Sequence, residues 1–281
     1  MVALSHNSSW QGCLDLVYDK QADSTRVLRA FNQAPLKVQR PFYPEGKAVC
    51  HTISLHTAGG IVGGDRLVQS LQLNPRSRVV MTTAAAGKIY GSNGKQARQK
   101  ISAKIEEQAV LEWLPQPTIA FNGAFYQQTM RIDLAKNSGF FGWEILRFGR
   151  SARGEKFLRG EWRSQLEVWR EGKLLWGERQ LLPGCEETYS HPHSLGGYPV
   201  IGQLIWFSHL ETEKTPLSLP HPQTNNSEKG EFGITQMQGN GLLCRYRGKS
   251  TTEVKNWFIQ IWKFYRQSDF GETAIALRVW L

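Results

Sequence analysis

Apolar and polar residues alternate one for one in several short segments, and this pattern constrains the fold more than any other feature of the chain. In the clearest case, Met130, Ile132 and Leu134 alternate with polar neighbours, as expected of a strand with one buried face. The same alternation recurs in four further stretches: Leu71 to Leu73, Ile101 to Ile105, Leu166 to Val168 and Ile275 to Leu281. The 27 glycines allow tight turns between such strands. The sequence therefore predicts a mainly β protein.

One segment near the C-terminus has helical periodicity instead. Ser250 and Glu253 occupy the N-cap and third position of a capping box. The apolar residues that follow are spaced by steps of three and one, so that they share one face of a helix. They are Val254, Trp257, Phe258, Ile261, Trp262 and Tyr265. The spacing predicts an amphipathic helix near residues 250–266, and core packing is the ordinary role of such an aromatic stripe.

Length and composition bear on the domain organisation. A chain of 281 residues has room for two domains of average size, although all-β chains of this length often form one. We expect a single domain over residues 1–281. A polar stretch at about 211–233 interrupts it, and its prolines predict a long flexible loop. These prolines are Pro216, Pro220 and Pro222.

The sequence also indicates where the protein works. It contains no run of about 18 apolar residues, which a transmembrane helix would need. The first ten residues are polar and do not resemble a secretory signal. The four cysteines are scattered without a C-x-x-C pair, as is typical of reduced thiols. These features predict a cytoplasmic protein that does not bind a membrane.

The net charge of +10 calls for an anionic partner. Lys and Arg are spread along the chain without a block of five to eight basic residues, and no zinc-finger spacing or RNP1-type motif occurs. We therefore expect an acidic protein surface as the partner and no nucleic acid. A basic nucleic-acid-binding or general scaffolding module remains the alternative function.

A glycine-rich loop is the most unusual segment of the chain. Gly59, Gly60, Gly63 and Gly64 fall within six positions, so the backbone must adopt positive φ or approach another group closely. A phosphate cradle and a pair of bulged turns in a sheet are both compatible with this composition. The Lys-Ser/Thr that completes a P-loop is missing, so nucleotide hydrolysis is not expected.

Residues suited to catalysis or metal binding are few. No G-x-S-x-G elbow occurs, and no cysteine lies in a nucleophile signature, so the residues give little support for nucleophilic catalysis and do not predict a hydrolase. His51, His56, Asp65 and Glu178 are side chains that could bind nickel, copper or zinc. Their spacing matches no closed structural metal site.

Several motifs follow one another along nearly the whole chain. In order, they are Arg40-Pro41, the loop with Gly59, Gly60, Gly63 and Gly64, Lys88 with Tyr90, Leu114-Pro115-Gln116, Gly149-Arg150 and the final Arg278-Val279-Trp280-Leu281. This ordered series resembles the UreD (also called UreH) family of urease accessory proteins. One departure is that Thr57-Ala58 follow His56 where the family usually has two prolines, so this turn is expected to be less rigid.

The resemblance implies both a fold and a function. UreD-like proteins form a β-helix-like stack of short strands with few helices. They act without catalysis, together with UreF and the GTPase UreG, in a GTP-dependent chaperone complex that docks on apo-urease and assists nickel insertion. No tightly bound cofactor is implied, although transient Ni²⁺ binding is compatible with the role.

Two acidic residues in family-like segments are our candidates for contact with nickel. We expect Asp65 and Glu178 to lie along a polar path for the ion, with His51 and His56 as weaker candidates. A carboxylate inside a β stack is costly to bury unless a cation or donor accompanies it. The alternative is that Asp65 caps the glycine turn and that Glu178 pairs with Arg179 or another cation.

Overall fold

The computed structural model describes residues 9–210, 219–223 and 230–280. Strands dominate these ranges, as the alternation predicts. In chain order they are β1 (Gln11–Gln21), β2 (Ser24–Gln33), β3 (Leu36–Val38), β4 (Val49–His56), β5 (Arg66–Leu73), β6 (Arg78–Thr83), β7 (Gly87–Ile89), β8 (Ala97–Ile105), β9 (Val110–Trp113), β10 (Thr118–Ala120), β11 (Phe125–Leu134), β12 (Gly139–Phe148), β13 (Glu161–Arg170), β14 (Lys173–Pro183), β15 (Val200–Phe207), β16 (Glu231–Met237) and β17 (Gly241–Gly248). The helices are α1 (Glu186–Ser190) and α2 (Thr251–Phe270), and short 3-10 turns span Ser151–Arg153 and Arg278–Trp280.

The chain winds back and forth between two sheets to form a β-solenoid. Sheet A has the order β14-β13-β11-β8-β5-β1-β2, and sheet B has the order β16-β17-β15-β12-β9-β6-β4-β3. From β1 to β13 the neighbours in sheet A are parallel, and from β4 to β12 the same holds in sheet B. Antiparallel strands cover both ends of each parallel stack. The β-helix-like fold implied by the resemblance is confirmed.

The alternating segments occupy the expected strands. Met130, Ile132 and Leu134 point inward from β11, and the other inward residues come from β5, β8 and β13. The inner faces of the two sheets form one apolar core, while sheet B and α2 enclose a second. Sheet A buries one face and leaves the other nearer solvent, which is why one-for-one alternation marks its strands. Sheet B is covered on both faces, so its strands β4, β9 and β12 are almost continuously buried.

Helix α2 confirms the C-terminal prediction and extends it by four residues to Phe270. Ser250 caps the N-terminus, since its Oγ accepts a hydrogen bond from the Glu253 N–H at 3.2 Å. The helix ends at Gly271, which has a left-handed φ of 66°. None of the helices in the described ranges combines the length and apolar character needed to cross a membrane.

The predicted C-terminal strand is wrong. After Gly271 the chain packs against α2 and ends in the turn Arg278–Trp280 rather than joining a sheet. Its buried residues, Ala274 and Leu277, are three positions apart, whereas Ile275 is 42% exposed. Because this segment packs against a helix, its buried residues are not spaced two apart as they would be in a strand. The alternation in the sequence therefore does not indicate a strand here. Leu281 lies outside the described residues.

The predicted loop at about 211–233 falls largely outside the described residues, which exclude 211–218 and 224–229. In the short described stretch between them, the Pro220 carbonyl accepts a hydrogen bond from Trp257 Nε1 of α2 at 2.6 Å. Strand β16 begins at Glu231, so the strand starts within the last three residues of the predicted loop.

Candidate functional site

A row of polar side chains crosses the inner face of sheet A, where an apolar core is expected. Gln99 of β8 pairs in register with Gln128 of β11, Gln128 pairs with Ser164 of β13, and Ser164 pairs with Gln180 of β14. Neighbouring strands lie about 4.8 Å apart, so the four side chains form a ladder along the axis of the solenoid. The ladder gives the interior a polar stripe.

This stripe lines an internal cavity of about 480 Å³ between the two sheets. Glu144 of β12 and Gln203 of β15, which pair in register, supply polar groups from sheet B. At one end, exposed residues line the cavity, including Gly59, Ala85 and Lys88. A polar cavity of this size has room for many water molecules, because one molecule of liquid water fills about 30 Å³.

The other end of the cavity meets an open surface pocket of about 610 Å³. Four residues line both spaces: Glu144, Glu178, Gln180 and Gln203. Arg245 and Arg247 lie on the pocket side only. The two carboxylates therefore lie at the boundary between the internal cavity and the surface.

Glu144 is a half-buried acid at this boundary, and it lines both the cavity and the surface pocket. Burial raises the pKa of Glu144 to about 7, and the charge of Glu178 adds to this rise. The hydrogen bond from Gln128 Nε2 at 2.6 Å opposes the shift. The sequence analysis missed this residue, although a single acid within the apolar run of β12 could have identified it.

Glu178 lies beside Glu144 and is held by two donors. Arg245 Nη2 donates to its Oε1 at 2.7 Å, and Gln180 Nε2 donates to the same oxygen at 2.9 Å. Its other oxygen, Oε2, is buried and has no hydrogen-bond partner within the part of the chain that the structure describes. Glu178 thus has a cation partner, Arg245, and a second oxygen that is available to a ligand.

Asp65 does not line the cavity, and so the structure does not bring it together with Glu178. It is fully buried beside the glycine loop. Its Oδ1 accepts a hydrogen bond from the Trp10 N–H at 2.9 Å, and its Oδ2 accepts one from the Val62 N–H at 3.0 Å. The carboxylate therefore caps the turn and links it to the start of β1.

The two histidines named from sequence have different surroundings. His56 lines the cavity near its open end, and neither ring nitrogen has a hydrogen-bond partner within the described ranges. Burial lowers the pKa of His56, although the nearby Asp65 charge works against the shift. His51 instead contacts Glu45 at 2.5 Å, away from the cavity lining. Of the two, only His56 could meet a cargo in the cavity.

The glycine loop meets both conformational requirements predicted from its composition. Gly59 and Gly64 have positive φ angles of 77° and 99°. At Gly60 and Gly63, glycine is required because neighbouring groups approach the backbone too closely to leave room for a Cβ. A Cβ at Gly60 would lie 2.9 Å from the Lys88 carbonyl oxygen, and one at Gly63 would lie 2.6 Å from that of Lys95.

The Leu114-Pro115-Gln116 motif follows β9 and connects the cavity lining with the C-terminal region. Leu114 is buried, and the Pro115 carbonyl accepts a hydrogen bond from Trp143 Nε1 at 2.9 Å. Gln116 lines the cavity and connects it to the C-terminal region, because its Nε2 donates to the Val279 carbonyl at 2.9 Å and its Oε1 accepts from Lys255 at 3.0 Å.

The remaining motif residues lie nearer the surface. Tyr90 packs edge-on against Phe121 next to the glycine loop. Lys88 is exposed on β7, at the open end of the cavity. Arg40 is exposed and Pro41 is half-buried, just before the bridge that joins Phe42 to β4.

Within the described ranges no three His, Cys, Asp or Glu side chains lie close enough together to hold a metal ion. The fold and the cavity define a class of protein, namely a two-sheet β-solenoid whose interior contains a partly polar cavity with carboxylates at one end.

Comparison with known proteins identifies the family. The chain belongs to the UreD family of urease accessory proteins, whose model matches residues 11–281. It is 54% identical over 272 residues to the urease accessory protein UreD of Trichormus variabilis, with 96% of each chain covered. It is 50% identical over 274 residues to that of Microcystis aeruginosa, covering 97% of this chain and 99% of the relative. The resemblance seen in the sequence motifs is thereby confirmed.

Proposed function

We propose that this chain is a non-enzymatic subunit of a cytoplasmic, GTP-dependent complex with UreF and UreG. The complex docks on apo-urease and assists the insertion of nickel, which passes through the internal cavity as cargo. Membership of a urease accessory family supports the connection with urease maturation. The cavity supports the passage of a small hydrophilic ion.

The observation that carries the proposal is the pair of carboxylates at the boundary between cavity and surface. Glu144 and Glu178 line both spaces, and each would be costly to bury in a packed β core. Burial is the main cause of the raised pKa of Glu144, and the nearby charge of Glu178 adds to it, so the two acids also repel each other. A structural role does not require such a pair. A passing cation gives this arrangement a physical purpose.

The types of ligand along the cavity suit transfer rather than storage. Carboxylate and amide oxygens bind Ni²⁺ more weakly than several imidazoles or thiolates together would. His56 provides a single imidazole at the open end, and the amides of Gln99, Gln128 and Gln180 line the way to the carboxylates. An ion would meet weak ligands in succession and would not be retained by any of them.

The test is the double variant Glu144→Gln and Glu178→Gln. Both amides keep the size of the side chain but lose its charge. We expect the complex with UreF to form normally and urease activation at limiting nickel to fall about tenfold, the smaller effect typical of weakened metal ligands. Glu187→Gln is the matched control, because Glu187 is an exposed acid that lines neither the cavity nor the surface pocket. Full activation by the double variant would refute the path.

Asp65→Asn separates the two roles considered for that residue. Both carboxylate oxygens of Asp65 accept hydrogen bonds from backbone N–H groups. The amide of an asparagine side chain has only one oxygen, so its NH₂ group would face one of these backbone donors and that hydrogen bond would be lost. We expect lower stability and no specific dependence on nickel concentration. Normal stability with poor activation at limiting nickel would place Asp65 on the path instead.

A further inference from the structure

The outer face of sheet A carries a group of adjacent cations. Arg66 of β5 and Arg98 of β8 are direct neighbours in register, and Lys100 lies two residues along β8 on the same face, opposite Val68. All three cationic side chains are exposed. Three positive charges thus meet where strands β5 and β8 begin.

These cations lack compensating charges. In the parts of the chain that the structure describes, no carboxylate forms an ion pair with Arg66, Arg98 or Lys100, and Arg98 Nε donates its hydrogen bond to the neutral Gln96 side chain at 3.2 Å. Like charges directly opposite each other on neighbouring strands destabilise a sheet. The arrangement therefore costs the isolated protein stability, and an anionic partner would remove that cost.

Exposed apolar side chains lie next to the cations. Trp10 is 46% exposed, Val62 is 42% exposed and Val68 is 39% exposed. Trp10 directly precedes β1, which pairs with β5 from Arg66 onward, and the Trp10 carbonyl accepts a hydrogen bond from the Arg66 N–H at 2.8 Å. Asp65 holds the group together, because its two oxygens accept from the backbones of Trp10 and Val62.

We propose that these six residues form a docking surface for an acidic surface of the urease apoprotein. We name it the Trp10 surface; it consists of Trp10, Val62, Arg66, Val68, Arg98 and Lys100. Tryptophan and arginine are among the residues that contribute most to the energy of protein interfaces, and cations next to exposed apolar side chains fit a partner with carboxylates next to an apolar patch. The inference rests on the proposed function and adds to it the surface used.

Its position next to the cavity supports this choice of partner. The Ile61 N–H of the glycine loop donates to the Lys88 carbonyl at 2.8 Å, and Lys88 lines the cavity at its open end. Val62, the next residue, belongs to the Trp10 surface. A protein docked there would lie beside an opening of the cavity, as the recipient of the nickel must.

A protein partner fits this face better than nucleic acid does. The same outer face carries Asp15 and Asp133, each paired with an arginine at 2.7 Å. Carboxylates on this face would repel a phosphate backbone, whose binding depends on the number of phosphates that lysine and arginine neutralise. Exposed valines likewise have no counterpart on a phosphate chain, whereas they match an apolar protein surface.

Two charge-reversed triple variants test the proposal. The first carries Arg66→Glu, Arg98→Glu and Lys100→Glu. The control carries Lys47→Glu, Arg76→Glu and Lys263→Glu, which changes the net charge equally at exposed positions elsewhere. All six side chains are exposed, so both variants should fold, as circular dichroism and thermal unfolding will verify. Affinity for purified urease apoprotein, for UreF and for a short fluorescent DNA duplex is measured at low and physiological ionic strength.

We expect the first variant to bind urease apoprotein about 30-fold more weakly and the control to bind within about threefold of the wild type, both at physiological ionic strength. Trp10→Ser should weaken binding at both ionic strengths, because its contribution is apolar. Equal urease binding by the two triple variants would overturn the surface and leave the proposed function intact. Selective loss of binding to UreF or to DNA would assign the surface to that partner and overturn the proposal. If the wild type binds neither urease nor UreF, the proposed function fails as well.

Discussion

At the residue scale, the glycine loop shows two physical reasons for the same amino acid. Gly59 and Gly64 have left-handed φ angles, which side chains with a Cβ rarely adopt. Gly63 has no such angle, and glycine is needed there because there is no room for a side chain. A Cβ at this position would crowd Ser92 and lie 2.6 Å from the Lys95 carbonyl oxygen. Composition alone predicts that the loop needs glycine but does not separate these reasons.

The crowding at Gly63 leads to a stability prediction. Gly63→Val places a branched side chain against backbone that cannot move without disturbing β7 and the start of β8. We expect a loss of about 3 kcal/mol in the free energy of unfolding, at the upper end for overpacking. Gly233→Val, at a position in β16 with open space and ordinary φ, is the control. Urea denaturation measures both, and an equally stable Gly63→Val would show that the loop is not packed as described.

A second prediction at this scale concerns pH and Glu144. Its pKa in the folded protein is about 7, against about 4.5 when exposed. Between these values the folded state holds a proton that the unfolded chain has released, so this group's contribution to stability falls as pH rises. Glu144→Gln cannot titrate. Its stability relative to the wild type should therefore rise between pH 4.5 and 8, by up to about 3 kcal/mol. A pH-independent difference would contradict the burial of this acid.

At the element scale, α2 is fixed to the solenoid by a buried ionic network as well as by its aromatic face. Arg266 is fully buried and donates to Glu112 at 2.9 Å and to Glu45 at 2.7 Å. Glu272, just beyond the helix, contacts Arg266 at 3.3 Å and binds Arg78 through two hydrogen bonds of 2.7 Å. Burial opposes the charge of Arg266, yet the carboxylates of Glu112 and Glu45 raise its pKa above the ordinary value.

Removing the central cation, Arg266, should therefore strongly destabilise the folded protein. Arg266→Met keeps most of the side-chain volume but leaves three carboxylates without their shared partner. We expect a loss of about 3–5 kcal/mol, as is typical when one member of a buried ion pair is removed. The near-ultraviolet signal of Trp262, whose Nε1 donates to Glu112, should change as the helix loosens. Lys263→Met on the exposed face of the same helix should remain within about 0.5 kcal/mol of the wild type.

These elements also show what the sequence can predict. Helix α2 was recognisable from its cap and its aromatic spacing, which depend on neighbouring residues only. The strand predicted for Ile275 to Leu281 is wrong because the burial of that segment depends on its packing against α2. The alternation of its own residues does not reveal that packing. Glu144 was missed for a related reason: its importance comes from facing Glu178 across the cavity, and that proximity depends on tertiary structure.

At the scale of the whole molecule, the cavity arises from register. Gln99, Gln128, Ser164 and Gln180 come from four strands separated in sequence by loops and strands of the opposite sheet. In each strand the polar residues on the inner face, one in β8 and in β11 but two in β14, look like irregularities in the alternation. Only the pairing of the strands, parallel from β8 to β13 and antiparallel from β13 to β14, places these irregularities in one line. The sequence thus predicted the type of fold, whereas the passage through it depends on pairings that alternation does not encode.

A continuous passage makes a prediction that a set of independent polar sites does not. Ser164 lies in the middle of the ladder, between Gln128 and Gln180. Ser164→Trp would place an indole in the cavity without removing a carboxylate, so nickel could still meet Glu178 from the surface pocket but could not pass through. We expect an intact complex with UreF and urease, and activation at limiting nickel reduced to the level of a sample that lacks this subunit.

The control for this prediction points outward from the adjacent strand. Thr129 of β11 does not line the cavity and pairs in register with Gln165, the residue after Ser164. Thr129→Trp introduces the same indole on the outer face of the sheet and should leave activation unchanged. Urease activity after activation in vitro measures both variants, with complex formation checked by size-exclusion chromatography. If Ser164→Trp activates urease as well as Thr129→Trp does, nickel does not travel through the length of the solenoid, and the carboxylates at its end act from the surface alone.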